Sequence, residues 1–448
     1  MHQRRLYFGE GLIGTLGEQH RKQRKMLNPV FSPRHLQDVV PIFYNVTYKL
    51  RDAVLAQVKT DPREIEMMHW FGRTALELIG QSGLGYSFDN FDEGPPHPYS
   101  LAIKDLGPTV SRLQALVLLL PYVSGLGSPA FRRALVKRIP SADVQDVVRI
   151  VDLMDDTSHE IVRSKQNSNA GAADHIGGGK DIMSILLKAN GEAAQGDRLT
   201  DTEVIGQVTT FVFAATDTTS SALTRIFHLL AQHPDVQNRL RDEICVARNR
   251  DGDLDYKQLD GLPYLDAVIR ETMRLQVSVI LSIVRLSTDL IAPVMLLCLS
   301  WTDARKDTVL PLSRPIIGLD GTDIHEITVP KGSQVTIAIV QVNTDPDIWG
   351  DDAQEWKPER WLAPLPASVS TARIPGVYSN LMTFMGGSRA CIGFKFSQLE
   401  MKVVISVLLE SFAFSLSDKE ITWNIGPVVT PSVVGDSKPR MPLMVSKI

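Results

Sequence analysis

A mostly α-helical single domain with small β-sheets is the fold class this sequence predicts, and three observations predict it. Apolar residues recur at three- and four-residue spacing through the first two thirds of the chain, the period of helices that bury one face. Two-residue alternation is confined to short runs towards the C-terminal end, around 335–340 and 421–433, punctuated by Pro and Gly. The 448 residues are 44% hydrophobic and 22% charged, a composition able to bury a large core. No repeat of fixed period is present.

In chain order, the basic start Met1-His2-Gln3-Arg4-Arg5 is followed by no long apolar run, so neither a signal peptide nor a membrane anchor is read there. The periodic segment Gly17 to Leu27 predicts a helix with His20 and Arg24 on one face, a pair suited to two carboxylates. Helices are predicted over 39–58, 70–79 and 144–162. The polar, Gly- and Asn-rich stretch 164–180 reads as an exposed connector.

From Glu203 to His233 the pattern is one long helix, interrupted by Ala214-Ala215-Thr216-Asp217-Thr218-Thr219-Ser220-Ser221. Hydroxyl side chains inside a helix can bond back to the carbonyl four residues earlier and bend it, and an acid beside them can relay protons. Glu271 and Arg274 lie three apart on a further predicted helix and can form an ion pair. The stretch 277–301 is apolar but interrupted by Arg285, Asp289 and Pro293. Trp349, Trp356 and Trp361 then mark an irregular, Pro-rich segment, and a helical pattern runs from Phe396 to Leu409.

A net charge of -4 gives no electrostatic reason to expect nucleic acid as a partner. The three cysteines, Cys245, Cys298 and Cys391, contain no C-x-x-C pair, which argues against a disulfide framework and against a zinc site. Cys391 stands apart. The run Phe384-Met385-Gly386-Gly387-Ser388-Arg389-Ala390-Cys391-Ile392-Gly393 has the form F-x-x-G-x-R-x-C-x-G and opens a helix.

Backbone N–H groups and the positive end of a helix favour a thiolate there. Gly386 and Gly393 would let the backbone approach a flat cofactor, Phe384 would pack on it, and Arg389 would pair with a carboxylate. An isolated cysteine is most often an inert, buried small side chain. The whole frame, however, has a chance probability on the order of 10⁻⁵ in a chain of average composition.

That frame resembles the haem-binding loop of the cytochrome P450 family, and the resemblance spans nearly the whole chain. It implies a haem b cofactor with Cys391 as the iron ligand, and His20, Arg24 and Arg389 as partners of the haem propionates. Asp217 and Thr218 match the family's acid and alcohol, which deliver protons to bound dioxygen; where Ala215 stands the family usually has glycine. Glu271, Arg274 and, in Pro358-Glu359-Arg360-Trp361, Arg360 match a structural triad.

The implied reaction is a monooxygenation, inserting one atom of O2 into a small apolar organic substrate with electrons from an NADPH-dependent cytochrome P450 reductase. Retention of both acid and alcohol favours this over the family's isomerase and dehydratase branches, which need no such relay. Lys22 and Lys25 would belong to a surface that docks the acidic electron donor, and 113–123, 211–215 and 426–433 would line an apolar pocket. A monomer is expected, and Lys180 to Leu186 and Ile374 to Asn380 resemble fungal members. The full-length form would then sit on the endoplasmic reticulum membrane.

Two departures from the family stand out. The chain starts almost at the propionate-binding helix, without the expected anchor and early β-sheet, which would leave apolar surface uncovered. In addition, 277–301 reads as an atypical insertion where the family carries a turn, a strand and another propionate-binding arginine. These features support an alternative reading, a truncated product that folds poorly or binds haem without catalysis.

Overall fold

The structure is a computed structural model that describes residues 2–58, 61–92, 97–113, 125–168, 179–275, 299–304, 306–424, 428–436 and 438–448, together with Gly94, Leu116 and Val123. Helices α1 (His2–Phe8) and α2 (Gly17–Leu27) lead through a 3-10 turn at Asn28–Phe31 into α3 (Pro33–Gln57). Ser32 caps α3 by accepting from the His35 backbone N–H at 3.5 Å, with Pro33 at the first helical position. Strand β1 (Arg63–Glu66) runs directly into α4 (Met67–Leu78), which ends in a π-helical turn at Ile79–Leu84.

Helices α5 (Pro98–Arg112), α6 (Pro129–Val136), α7 (Ala142–Ser168) and α8 (Ile182–Glu192) precede the longest helix, α9 (Asp201–Gln232). Thr200 and Glu203 close a reciprocal capping box at its start. Then follow α10 (Pro234–Asp251), α11 (Tyr256–Asp260) and α12 (Pro263–Leu275).

The last third alternates strands and short helices. Strand β2 (Leu299–Asp303) pairs antiparallel with β5 (Gln334–Ala338), enclosing the hairpin β3 (Thr308–Ile317) and β4 (Asp323–Val329). Helices α13 (Ile339–Thr344), α14 (Pro346–Trp349) and α15 (Ala367–Thr371) follow, with a 3-10 turn at Pro358–Trp361. The β6 (Gly376–Tyr378) and β7 (Leu381–Gly386) hairpin precedes α16 (Phe394–Ser411). Strands β8 (Phe412–Leu416), β9 (Ile421–Asn424), β10 (Thr430–Val433) and β11 (Pro442–Lys447) end the chain. Strand β11 is the centre of an antiparallel β1-β11-β8 sheet.

Helix α9 runs through the core. Val208, Val212, Leu223, Ile226, Phe227 and Leu230 have almost no exposed surface, each worth roughly 1.5–3 kcal/mol for burial. Phe227 packs between Phe71 of α4 and Phe414 of β8, with ring centroids 5.0 and 4.7 Å away.

The predicted helices all form, and Gly17–Leu27 forms with the expected bounds. The strand expected over 335–340 stops at Ala338 and turns into α13, and 421–433 is a hairpin of two strands. Strand β1 is an addition to the expected C-terminal β structure: four residues are too few to show a period, and pairing with β11 makes the strand. Of the segment 277–301, residues 277–298 lie outside the described residues, and 299–301 begin β2. Most of the 164–180 connector, and positions 114, 115, 117–122, 426 and 427 of the expected pocket lining, also lie outside them.

Candidate active site

The β6–β7 hairpin delivers Cys391. Gly376 pairs with Gly386, and a Cβ at Gly386 would lie 2.1 Å from the Pro375 carbonyl oxygen. The hairpin itself therefore requires glycine at this position, independently of any cofactor. Met385 and Gly387 take left-handed backbone angles, φ +60° and +69°, and turn the chain into a 3-10 turn at Gly387–Arg389. The Cys391 N–H then donates to the Phe384 carbonyl at 2.9 Å, closing the loop two residues before α16.

Cys391 keeps exposed surface. Burial of its surroundings pushes the thiol up, against the Gly393 N–H and the Arg24 guanidinium, which pull it down. The helix end expected to favour a thiolate is thus outweighed by desolvation in the protein alone. A Cβ at Gly393 would find Phe31 as its nearest neighbour, 3.9 Å away, so internal packing does not force glycine there and the space beside the loop is open. Phe384 is half-buried, edge-on to Tyr378 at 5.5 Å.

Helix α2 brings His20 and Arg24 to this loop. Arg24 donates to the Ala390 carbonyl at 2.5 Å and to Asn28 Oδ1 at 3.0 Å, and Arg389 donates to the Thr15 carbonyl at 2.8 Å. His20 is buried and held down at about 4, first by burial and then by Arg389 and Arg24. It is therefore neutral at physiological pH. Among the described residues no carboxylate lies within ion-pair distance of Arg24. Two guanidiniums and an imidazole gathered beside an exposed sulfur and an open glycine fit a flat, doubly carboxylated, thiolate-ligated metal cofactor such as haem.

Phe31 links this wall to α9, with ring centroids 5.8 Å from Phe211 and 6.3 Å from Phe396 of α16. On α9, Ala214 is exposed and Phe213, Ala215, Asp217 and Thr218 are half-exposed, although Val212, Thr216 and Leu223 around them are buried. Thr218 Oγ donates to the Ala214 carbonyl at 2.6 Å, the back-bond expected of a hydroxyl inside a helix. The Asp217 carboxyl is pushed up to about 7 by burial, with Lys104 pulling it down. Phe8 of α1 packs against Phe213 with ring centroids 4.4 Å apart and the planes tilted by 44°.

The charged frame is a buried ion-pair cluster. Glu271 and Arg274 are fully buried, and Arg274 Nε and Nη2 donate to Glu271 Oε2 and Oε1 at 2.9 and 2.8 Å. Arg360 Nε and Trp361 Nε1 donate to the same carboxylate at 3.2 and 2.9 Å. The rest of the Arg274 fork donates to the Asn343, Ala353 and Glu355 carbonyls. Lys22 departs from its expected place on a docking surface: its ammonium turns inward to Glu203 Oε2 at 3.2 Å and the Arg198 carbonyl at 3.0 Å. Lys25 stays exposed, 3.3 Å from Asp197.

Sequence reading missed two groups. Lys104 of α5 rests against α4, where a Cβ on Gly72 would come within 2.8 Å of its Nζ, and only folding brings it near Asp217. Gln23 and Gln207 bond to each other at 3.1 Å and, with Glu203, join α2 to the start of α9. The pattern Thr200-x-x-Glu203, a capping box, is the sequence signal that could have pointed to Glu203.

A family model described as Cytochrome P450 matches residues 1–292 and 305–438, so the interruption covers 293–304. Cytochrome P450 monooxygenase 91 of Postia placenta is 48% identical over 99% of this chain and 79% of its own length. Ganoderic acid synthetase CYP5150L8 of Ganoderma lucidum is 44% identical over 99% of the chain and 80% of its own. A crystal structure of a cytochrome P450 (CYP102L1) superposes with a TM-score of 0.70 at 22% identity, over 100% of this chain and 83% of that one.

Proposed function

The chain belongs to the cytochrome P450 family and is an oxidoreductase of the monooxygenase kind, and on that premise we propose that it inserts one oxygen atom from O2 into an apolar organic substrate, with electrons from an NADPH-dependent reductase. Family membership implies haem iron, which when bound supplies the metal centre at which dioxygen is reduced. Cys391 offers the exposed sulfur that would hold it. Arg24 and Arg389 would exchange their backbone carbonyls for the two propionates, gaining charge-assisted bonds, and neutral His20 would donate one more.

The observation that carries this reading is the adjacent acid and alcohol on the partly exposed stretch of α9, Asp217 beside Thr218, whose hydroxyl is anchored to the Ala214 carbonyl at 2.6 Å; the Asp217 carboxyl is also pushed up to about 7. An acid whose pKa matches the operating pH both gives and regains a proton, which is the optimum for general acid catalysis. Thr218, anchored to the Ala214 carbonyl, orients its oxygen as an acceptor for that proton. Phe213, Ala214 and Ala215 give this stretch the apolar surface that favours an apolar substrate. We place the protein at the endoplasmic reticulum membrane; no helix among the described residues is long and apolar enough to cross a membrane.

The test is the carbon-monoxide difference spectrum of the dithionite-reduced, haem-loaded protein, followed by turnover under isotopically labelled O2 with reductase. The expected result is a strongly red-shifted Soret band, lost in Cys391→Ser, and one labelled oxygen in the product. Identical spectra for the wild type and the variant would overturn the assignment of Cys391. Turnover without reductase would overturn the monooxygenase reading in favour of an isomerase.

A further inference from the structure

Arg225 is a half-buried cation on α9 that lacks a counter-charge. Among the described residues its guanidinium makes no hydrogen bond and no ion pair, and its Nε is buried without a partner. Burial by itself pulls the group down to about 10, with no charged side chain acting on it. Withdrawing a charge from water without a partner is costly, and charged groups that are buried in folded proteins are as a rule paired. The missing partner of this one is an anion.

The strip of α9 that carries Thr218 continues through Ser221, Arg225 and His228, which are spaced for one helix face, and the β9–β10 hairpin lies along it. Ser221 Oγ donates to the Val429 carbonyl at 2.5 Å, and Trp423 Nε1 donates to His228 Nδ1 at 3.3 Å. His228 is buried and held down at about 4, first by burial and then by Arg225, so it is neutral and accepts that bond. The bond orients the indole ring, and the Arg225 guanidinium lies over it, 4.5 Å from the ring centroid. Arg225 is thus held by its flat face, with its fork of N–H groups unused.

We propose that Arg225 and Trp423 form a binding site for the carboxylate of an organic acid, between α9 and the β9–β10 hairpin and two turns of α9, roughly 10 Å, beyond Thr218. A carboxylate matches one guanidinium fork with two parallel bonds. A phosphate or sulfate needs further donors, and the indole N–H is already committed to His228. Half-buried Ile421 and Trp423 give the site apolar walls for the body of the acid. A cation already held against an aromatic ring loses little freedom on binding, so less of the gain is lost to ordering.

Titration of the haem-loaded full chain with decanoate, with methyl decanoate as the uncharged control, tests this through the fluorescence of Trp423, isolated as the difference between the wild type and Trp423→Phe. The expected result is a saturable change with decanoate, none with the ester, and an affinity roughly tenfold or more weaker in Arg225→Met, which keeps the stem and loses the charge. Equal affinity for acid and ester, equal affinity in the variant, or no saturable change overturns the proposal. Either behaviour of the Soret band supports the site: a shift with the same midpoint assigns the carboxylate to the substrate, and an unmoved band assigns it to a separate acid. Arg225→Met is also expected to keep or raise the Tm without acid, because it removes an uncompensated charge. A lowered Tm would mean that the protein itself already pairs the guanidinium, and overturns the proposal as well.

Discussion

At Asp217 two physical effects compete, burial raising the carboxyl and Lys104 lowering it, and burial wins. A carboxyl raised from 3.8 to about 7 binds its proton more tightly in the folded state, so the stability it contributes is complete below about pH 4 and is lost as pH rises through 7. With Asp217 as the proposed proton donor, turnover is expected to follow the same titration. Asp217→Asn is expected to lower turnover by roughly 10²-fold or more and to flatten the pH–rate profile near 7, with the carbon-monoxide spectrum unchanged. A profile that keeps its limb near 7 in the variant would assign that titration to another group. Asp217 and Thr218 were legible because acid and alcohol are adjacent in sequence. Lys104 was not, because a lysine on an amphipathic helix looks like a solvated residue until α4 and α9 are packed against it.

Among the elements, α9 couples stability to the site. Its buried face is fixed by Phe71, Phe227 and Phe414, while Phe213, Ala214, Ala215, Asp217 and Thr218 keep exposed surface. Phe227→Ala is expected to destabilise the fold by about 3–5 kcal/mol, measured by urea unfolding, with loss of haem retention following rather than preceding the transition. The hairpin before the cysteine makes a different point. Gly386 reads as a cofactor contact in sequence, yet the Pro375 carbonyl already excludes any side chain there. Strand pairing alone accounts for that glycine.

Across the whole molecule, the buried carboxylate of Glu271 ties α12 to the Pro358–Trp361 turn, which Glu359 ties in turn to α10 and α12 through Arg239 and Tyr264. Arg274 carries three backbone carbonyls from 343, 353 and 355 into the same knot. Glu271→Gln leaves Arg274 with an uncompensated buried charge and Arg360 with Asp352 alone, and breaking such a buried pair costs about 3–5 kcal/mol. The expected outcome is a lower apparent Tm and reduced haem content. An unchanged Tm would mean that Asp352, bonded to Arg360 at 2.7 Å, and the carbonyls carry the frame without Glu271.

The sequence by itself determined the class of the fold, the long helix with its acid and alcohol, the cysteine loop, and the pairing of Glu271 with Arg274. Each is a local pattern whose physics acts within one turn or one loop. Tertiary structure alone decided the rest: β1 exists because β11 offers it hydrogen bonds, and Lys22 turns inward because Glu203 lies beneath it. Burial and electrostatics depend on what folding brings near a group from far along the chain, and no spacing within a single segment records that.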